Sequence, residues 1–125
     1  MDLQPAQARA RRFVEERDWV PYQTPKNLAQ ALAGEVGELS EVFQWLTEAE
    51  SSRLNARDRR LVEEEIADIL IYVLRLADVL DVDLEHVVEA KLSLNERRYP
   101  VEASRGDRTK YSTKGEGLHD RGRAS

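Results

Sequence analysis

A chain of 125 residues with 41% hydrophobic and 34% charged side chains can build one buried core but is too short for two. Its formal charge of −5 argues against binding nucleic acid by phosphate neutralisation, and the absence of cysteine removes any disulfide framework or thiolate metal site. No apolar run approaches the roughly 20 residues needed to span a bilayer, and the opening MDLQPAQARARRF lacks the apolar stretch of a secretion signal.

These features fit a cytoplasmic protein with neither a membrane nor a nucleic-acid polymer as partner. The acid excess lies in residues 1–100, while 101–125 are net basic. An acidic body of this kind would need a bridging cation to handle an anion.

In chain order, a first helix is expected over 3–17, with Leu3, Ala6, Ala10, Phe13 and Val14 on one face and arginines on the other. Two prolines in DWVPYQTPKN end it. Thr24 then offers an N-cap, and Pro25 a first-turn residue, for a second helix over 25–47. A polar connector, TEAESSRLN, leads to Asn55, the expected cap of a third helix over 56–80. The apolar residues of that helix are dense enough that it should be enclosed on most sides. Asp83 caps a fourth helix over 84–98 that should bury Leu84, Val87, Val88 and Leu92, and Pro100 marks its end. Residues 101–125 read as a polar tail, ordered at most near 108–112. The expected class is all-α, an antiparallel four-helix bundle over residues 1–100. Two of its helices are too apolar for one such bundle to cover, which points to a homo-oligomer.

The chemistry concentrates in two short segments. AGEVGELSEV places Glu35 and Glu38 one turn apart on the second helix, with Gly34 and Gly37 beside them. VEEEIADILIYVL places Glu65 and Asp68 at the same spacing on the third. If these helices pack antiparallel, the four carboxylates converge on one small volume. Like charges there raise each other's pKa unless a cation intervenes. The all-oxygen donor set suits Mg²⁺, with Mn²⁺ as a substitute, and no histidine or cysteine lies near enough to favour zinc. Glu41 continues the stripe as a further ligand or supporting acid. Arg59 and Arg60 are placed to pair with Glu63 or Glu64, which leaves those two as surface acids. A carboxylate-bridged centre of ferritin-like type would need a Glu-x-x-His pair, and His86 and His119 are far from the acids. Spacing alone leaves open a solvated acidic groove on a helical scaffold. Two such pairs on the two most apolar helices tilt the reading toward metal.

E-x-x-E on one helix followed by E-x-x-D on the next resembles the metal motif of the all-α NTP pyrophosphatases, the superfamily of MazG and the dimeric dUTPases. The stretches ERDWVPYQTPKNLAQALAGEVGELSEVFQWLTE, EEIADILIYVLRLAD, VDLEHVVEAKLSLNERRYP and TKYS look like the MazG-like dCTP pyrophosphatase group in particular. The resemblance covers about residues 10–112. It implies Mg²⁺-dependent hydrolysis of a nucleoside triphosphate to monophosphate and pyrophosphate, with dCTP or 5-modified dCTP favoured, in nucleotide-pool housecleaning. Hydrolysis of dUTP or of a broad set of NTPs, or a non-enzymatic helical metal-binding or interaction protein, are the alternatives.

The resemblance also implies roles. Glu35, Glu38, Glu65 and Asp68 would be the metal ligands and catalytic acids. Lys91 would contact phosphate and Asn95 sugar or phosphate, with Arg98, Lys110 and Tyr111 closing over the triphosphate. Trp19, Trp45 and Tyr72 would shape the base pocket, with Asn27 as polar lining. Ala10 and Gln23 stand where relatives carry histidine, which bears on the preferred base more than on the reaction. Gln23 stays a candidate base- or phosphate-facing residue. The assembly implied is a tetramer, favoured over a dimer, in which sites borrow residues from a neighbour.

Overall fold

Four side-chain caps and two left-handed aspartates mark where helices start and stop in the computed structural model, which describes residues 2–106. The helices are α1 (Gln4–Glu16), α2 (Pro25–Phe43), α3 (Glu48–Ser51), α4 (Ala56–Val79), α5 (Leu84–Arg98) and α6 (Val101–Ser104), with a 3-10 turn at Val20–Tyr22. Every regular element among the described residues is helical, as the apolar periodicity predicts. Lys110 and Tyr111 lie outside the described residues.

The caps follow from side-chain chemistry. Thr24 Oγ1 accepts from the Asn27 backbone N–H at 3.2 Å, Asn55 Oδ1 from Asp58 at 2.7 Å and Asp83 Oδ1 from His86 at 3.1 Å. Each supplies one of the acceptors that a helix start otherwise lacks. α1 and α4 end alike. The Trp19 N–H donates to the Val14 carbonyl and Asp18 to Glu15, while Val82 donates to Ala77 and Asp81 to Asp78. These are paired Schellman bonds, and they require the intervening residue to turn left-handed. Asp18 (φ 55°) and Asp81 (φ 54°) do so in place of glycine.

The second helix is shorter than its apolar pattern suggests. α2 stops at Phe43, not at 47, and the polar connector contains α3. Thr47 and Glu50 form a reciprocal capping box, each side chain bonding the other's backbone N–H at 3.1 and 2.8 Å. That box starts a new helix inside the polar connector.

Compact units divide between Val82 and Asp83. In the first unit α2 packs along α4 and α1 packs on α4. Its buried apolar residues are Val14, Leu28, Leu74 and Ala77, where α1, the start of α2 and the end of α4 meet. A polar network crosses the same junction. Arg75, only 4% exposed, donates from Nη1 to Asp78 Oδ2 at 2.7 Å and from Nε to Gln23 Oε1 at 2.8 Å. Arg11 Nε reaches Asp78 Oδ2 at 2.7 Å, and Gln7 Nε2 donates to the Leu74 carbonyl at 3.0 Å. The Arg11 guanidinium, with Arg75 behind it, holds the Asp78 carboxyl below its ordinary range.

The expected enclosure of the third helix is not met within the single chain. Ile66 is 54% exposed on α4, and Leu70 and Ile71 are exposed beside it. In the second unit, Val87, Val88 and Leu92 of α5 are likewise exposed, against the expectation that they are buried. Apolar periodicity reports which face wants cover, not whether one chain supplies it.

Arg75 and Asp78 generate a prediction. Asp78→Asn leaves a buried guanidinium without its counter-charge and should cost about 3 kcal/mol in denaturant unfolding at pH 7. Because folding lowers the Asp78 pKa, its contribution is full above the ordinary value of 3.8 and is lost as pH falls below it. The gap between wild type and variant should therefore close in acid.

Candidate metal centre

The antiparallel pairing of α2 and α4 builds the centre. Later residues of α2 (Glu41, Val42) share a groove with earlier residues of α4 (Arg57, Asp58, Leu61), while Glu38 and Glu65 belong to the same groove further along. Within that register, one carboxylate oxygen each from Glu35, Glu38 and Glu65 comes within 4.8 Å of the others. Oxygens on opposite sides of one Mg²⁺ would be about 4.2 Å apart, so the set is already close to a cation's coordination sphere. The groove beside it has a volume of about 460 Å³.

The electrostatics show what the cluster lacks. Glu35 Oε2 and Glu65 Oε2 are buried with no hydrogen-bond partner. Three ionised carboxylates are acceptors only, so none can satisfy another. A proton on Glu65 would relieve this, because it could be shared with Glu35. The nearness of Glu35, then burial, then the Glu38 carboxylate push the Glu65 carboxyl up to about 7. A divalent cation would answer the same need with every acid ionised. The donor set therefore fits a hard, oxygen-preferring metal.

The remaining expected residues are distributed as follows. Asp68, one turn beyond Glu65, is exposed and outside the three-acid cluster. Glu41 is exposed and lines the groove. Gly34 and Gly37 face open space, since a Cβ at either would meet nothing within 4 Å. Arg59 pairs with Glu63 at 3.2 Å, as the spacing suggests.

Trp19, held by the end of α1, packs edge-on against Phe13 with ring centroids 5.7 Å apart, and the Arg17 guanidinium lies over the other ring's face. Trp45 sits in the turn after α2 and is 87% exposed. Tyr72 is half-buried on α4. Asn27 donates from Nδ2 to the Tyr22 carbonyl at 3.1 Å, and Gln23 accepts from Arg75, so both are engaged in holding the loop before α2. In the second unit Lys91, Asn95 and Arg98 of α5 are half-buried, and Asn95 Oδ1 is buried without a hydrogen-bond partner.

Two features escaped the sequence reading. Arg75, alone in the apolar run ILIYVLRLADVL with an acid three residues on, signals a buried ion pair. Arg57, which lines the groove, is a cation in the first turn of a helix, where charge of that sign is unfavourable.

The profile of the MazG-like family matches residues 31–113, a segment that includes Glu35, Glu38 and Glu65. dCTP pyrophosphatase 1 of Bos taurus is 47% identical over 102 residues, and that of Homo sapiens 44%. Each alignment takes in 80% of this chain and 60% of the relative, so the chain spans about 60% of the length of the curated relatives it matches. A pyrophosphatase from Archaeoglobus fulgidus, solved as a crystal structure, is 42% identical and superposes with a TM-score of 0.74, covering 78% of this chain and 92% of that one. A family match over more than half the chain agrees with the carboxylate pattern on α2 and α4: the chain belongs to the MazG-like family.

Proposed function

We propose that this protein hydrolyses a nucleoside triphosphate between its α and β phosphorus, with Mg²⁺ as the working cation and Mn²⁺ as a substitute. The observation that carries the reading is the cluster of Glu35, Glu38 and Glu65, with two buried oxygens that lack a donor. Relatives named dCTP pyrophosphatase support dCTP or a 5-modified form as substrate.

Glu35, Glu38 and Glu65 would hold the cation, joined by Asp68. A bound divalent cation supplies neutralisation of phosphate oxygens and a lower pKa for water. The chain's own residues do the rest. The carboxylates would hold the cation in place, and one of them would take the proton of the water that attacks the α-phosphorus. The bond from that phosphorus to the bridging oxygen breaks, and pyrophosphate leaves with the oxygen. Trp19, Trp45 and Tyr72 would frame the base.

The number of exposed apolar side chains, including Val36, Ile66, Leu70 and Ile71, supports a homo-oligomer, with a tetramer favoured over a dimer. An antiparallel four-helix arrangement is proposed within it. Light scattering should return a mass that is a multiple of 14.3 kDa, and Ile66→Glu should lower it. A monomeric wild type removes this part of the reading.

Turnover is tested with a panel of canonical and 5-substituted dNTPs, following pyrophosphate release. dCTP or its 5-modified forms should turn over selectively, and Glu38→Gln should reduce the rate by about 100-fold or more. Preference for dUTP would keep the carboxylates and overturn the base assignment. No turnover of any nucleotide would reject the enzyme.

The raised Glu65 pKa gives a pH signature. A carboxyl held at about 7 when folded, against 4.5 ordinarily, binds its proton more tightly in the native state between those values. Metal-free stability should therefore fall as pH rises through that window. Mg²⁺ should raise the melting temperature more at pH 8 than at pH 5.5, and Glu65→Gln should remove both effects. Asp78 is ionised throughout this range and does not contribute.

A further inference from the structure

One cation of the groove has no hydrogen bond or ion pair among the described residues. Arg57 lines the groove with Glu38 and Glu65. Among the described residues it makes neither hydrogen bond nor salt bridge, although Asp58 and Glu41 line the same groove. Its neighbours on α4 behave differently. Arg59 pairs with Glu63, and Arg75 with Asp78. Other arginines on the surface are also unpaired, but Arg57 is the arginine that lines the groove beside the carboxylates.

Its position offers the helix nothing. Arg57 is the second residue of α4, where the positive end of the helix dipole disfavours a cation. The site it overlooks is rich in acid, yet the guanidinium is not spent on any of those carboxylates. A planar guanidinium held free at the rim of a groove suits bidentate binding of phosphate oxygens. Two turns of α4 separate it from Glu65, about 12 Å of helix rise, and both residues line the one groove.

We propose that Arg57 binds the β and γ phosphates of the substrate, the part that departs as pyrophosphate. This rests on the reading above, in which Glu35, Glu38 and Glu65 mark where the α–β bridge is cleaved. Arg57 then compensates charge on the leaving group and selects for triphosphate over monophosphate.

The test is calorimetric titration of the full chain with inorganic pyrophosphate and, separately, with dCMP, both with Mg²⁺, using wild type, Arg57→Ala and Arg57→Lys. Arg57→Ala should weaken pyrophosphate binding about tenfold or more, the loss of one charge-assisted contact, and leave dCMP unchanged. Arg57→Lys should restore part of the loss. The melting temperature should not fall in Arg57→Ala, because the side chain has no hydrogen bond or ion pair to lose among the described residues and sits against the dipole. Unchanged pyrophosphate affinity, or equal weakening of pyrophosphate and dCMP, overturns the inference. If wild type hydrolyses dCTP and Arg57→Ala binds pyrophosphate normally, only the inference fails. If pyrophosphate binding depends on Arg57 but no nucleotide turns over, the reading of the function fails and the anion site stands.

Discussion

Three carboxylates within 4.8 Å of one another repel, and they stay together because α2 and α4 are packed along their length by forces applied elsewhere. Along α4 the order is groove, acids, core. Arg57 and Leu61 come first, Glu65 follows, and Leu74, Arg75, Ala77 and Asp78 complete the helix. The apolar and ionic contacts at the last of these, with Leu28 of α2 and with α1, anchor the pair. The strained middle is thereby held in a geometry that a cation can relieve. Stability and the proposed chemistry would thus occupy different stretches of the same two helices. A substitution at Asp78 should act on folding, and one at Glu38 on chemistry.

The remainder of the surface follows from how little the single chain buries. Val14, Leu28, Leu74 and Ala77 are its buried apolar residues among those described, a small set for a chain of this composition. Val36 is exposed on the helix that carries Glu35 and Glu38, and Ile66 stands next to Glu65. Assembly would therefore remove water from surfaces adjoining the acids, strengthening every charge interaction there. Gly34 and Gly37, open to space in the single chain, leave room for close approach on that helix.

Much of this was legible in the residues. Thr24, Asn55 and Asp83 each announce a helix start and each makes the expected bond, because capping depends on local geometry alone. The Glu35, Glu38 and Glu65 convergence was legible for a similar reason, from spacing on two helices and an antiparallel register, but the same spacing also brought Asp68 into the set, and it lies exposed outside the cluster. The end of α2 was not foreseen, since Leu46 and Trp45 continue the apolar pattern while the Thr47–Glu50 box, a signal present in TEAE, starts another helix. Exposure of Ile66 and Leu70 agrees with the expectation that one bundle cannot cover its most apolar helices, but that of Val88 was missed, because periodicity cannot tell a face covered by the same chain from one left bare. Gln23 shows the limit of reasoning by position, as its partner Arg75 is 52 residues away.

In the proposed mechanism Glu35, Glu38 and Glu65 jointly hold the working cation. Crystals grown or soaked with Mn²⁺ and measured for anomalous scattering test it most directly. An anomalous peak should appear bonded to oxygens of all three glutamates and be lost in crystals of Glu38→Gln. A peak bonded to other residues, or a wild-type crystal with no peak between α2 and α4, would contradict it.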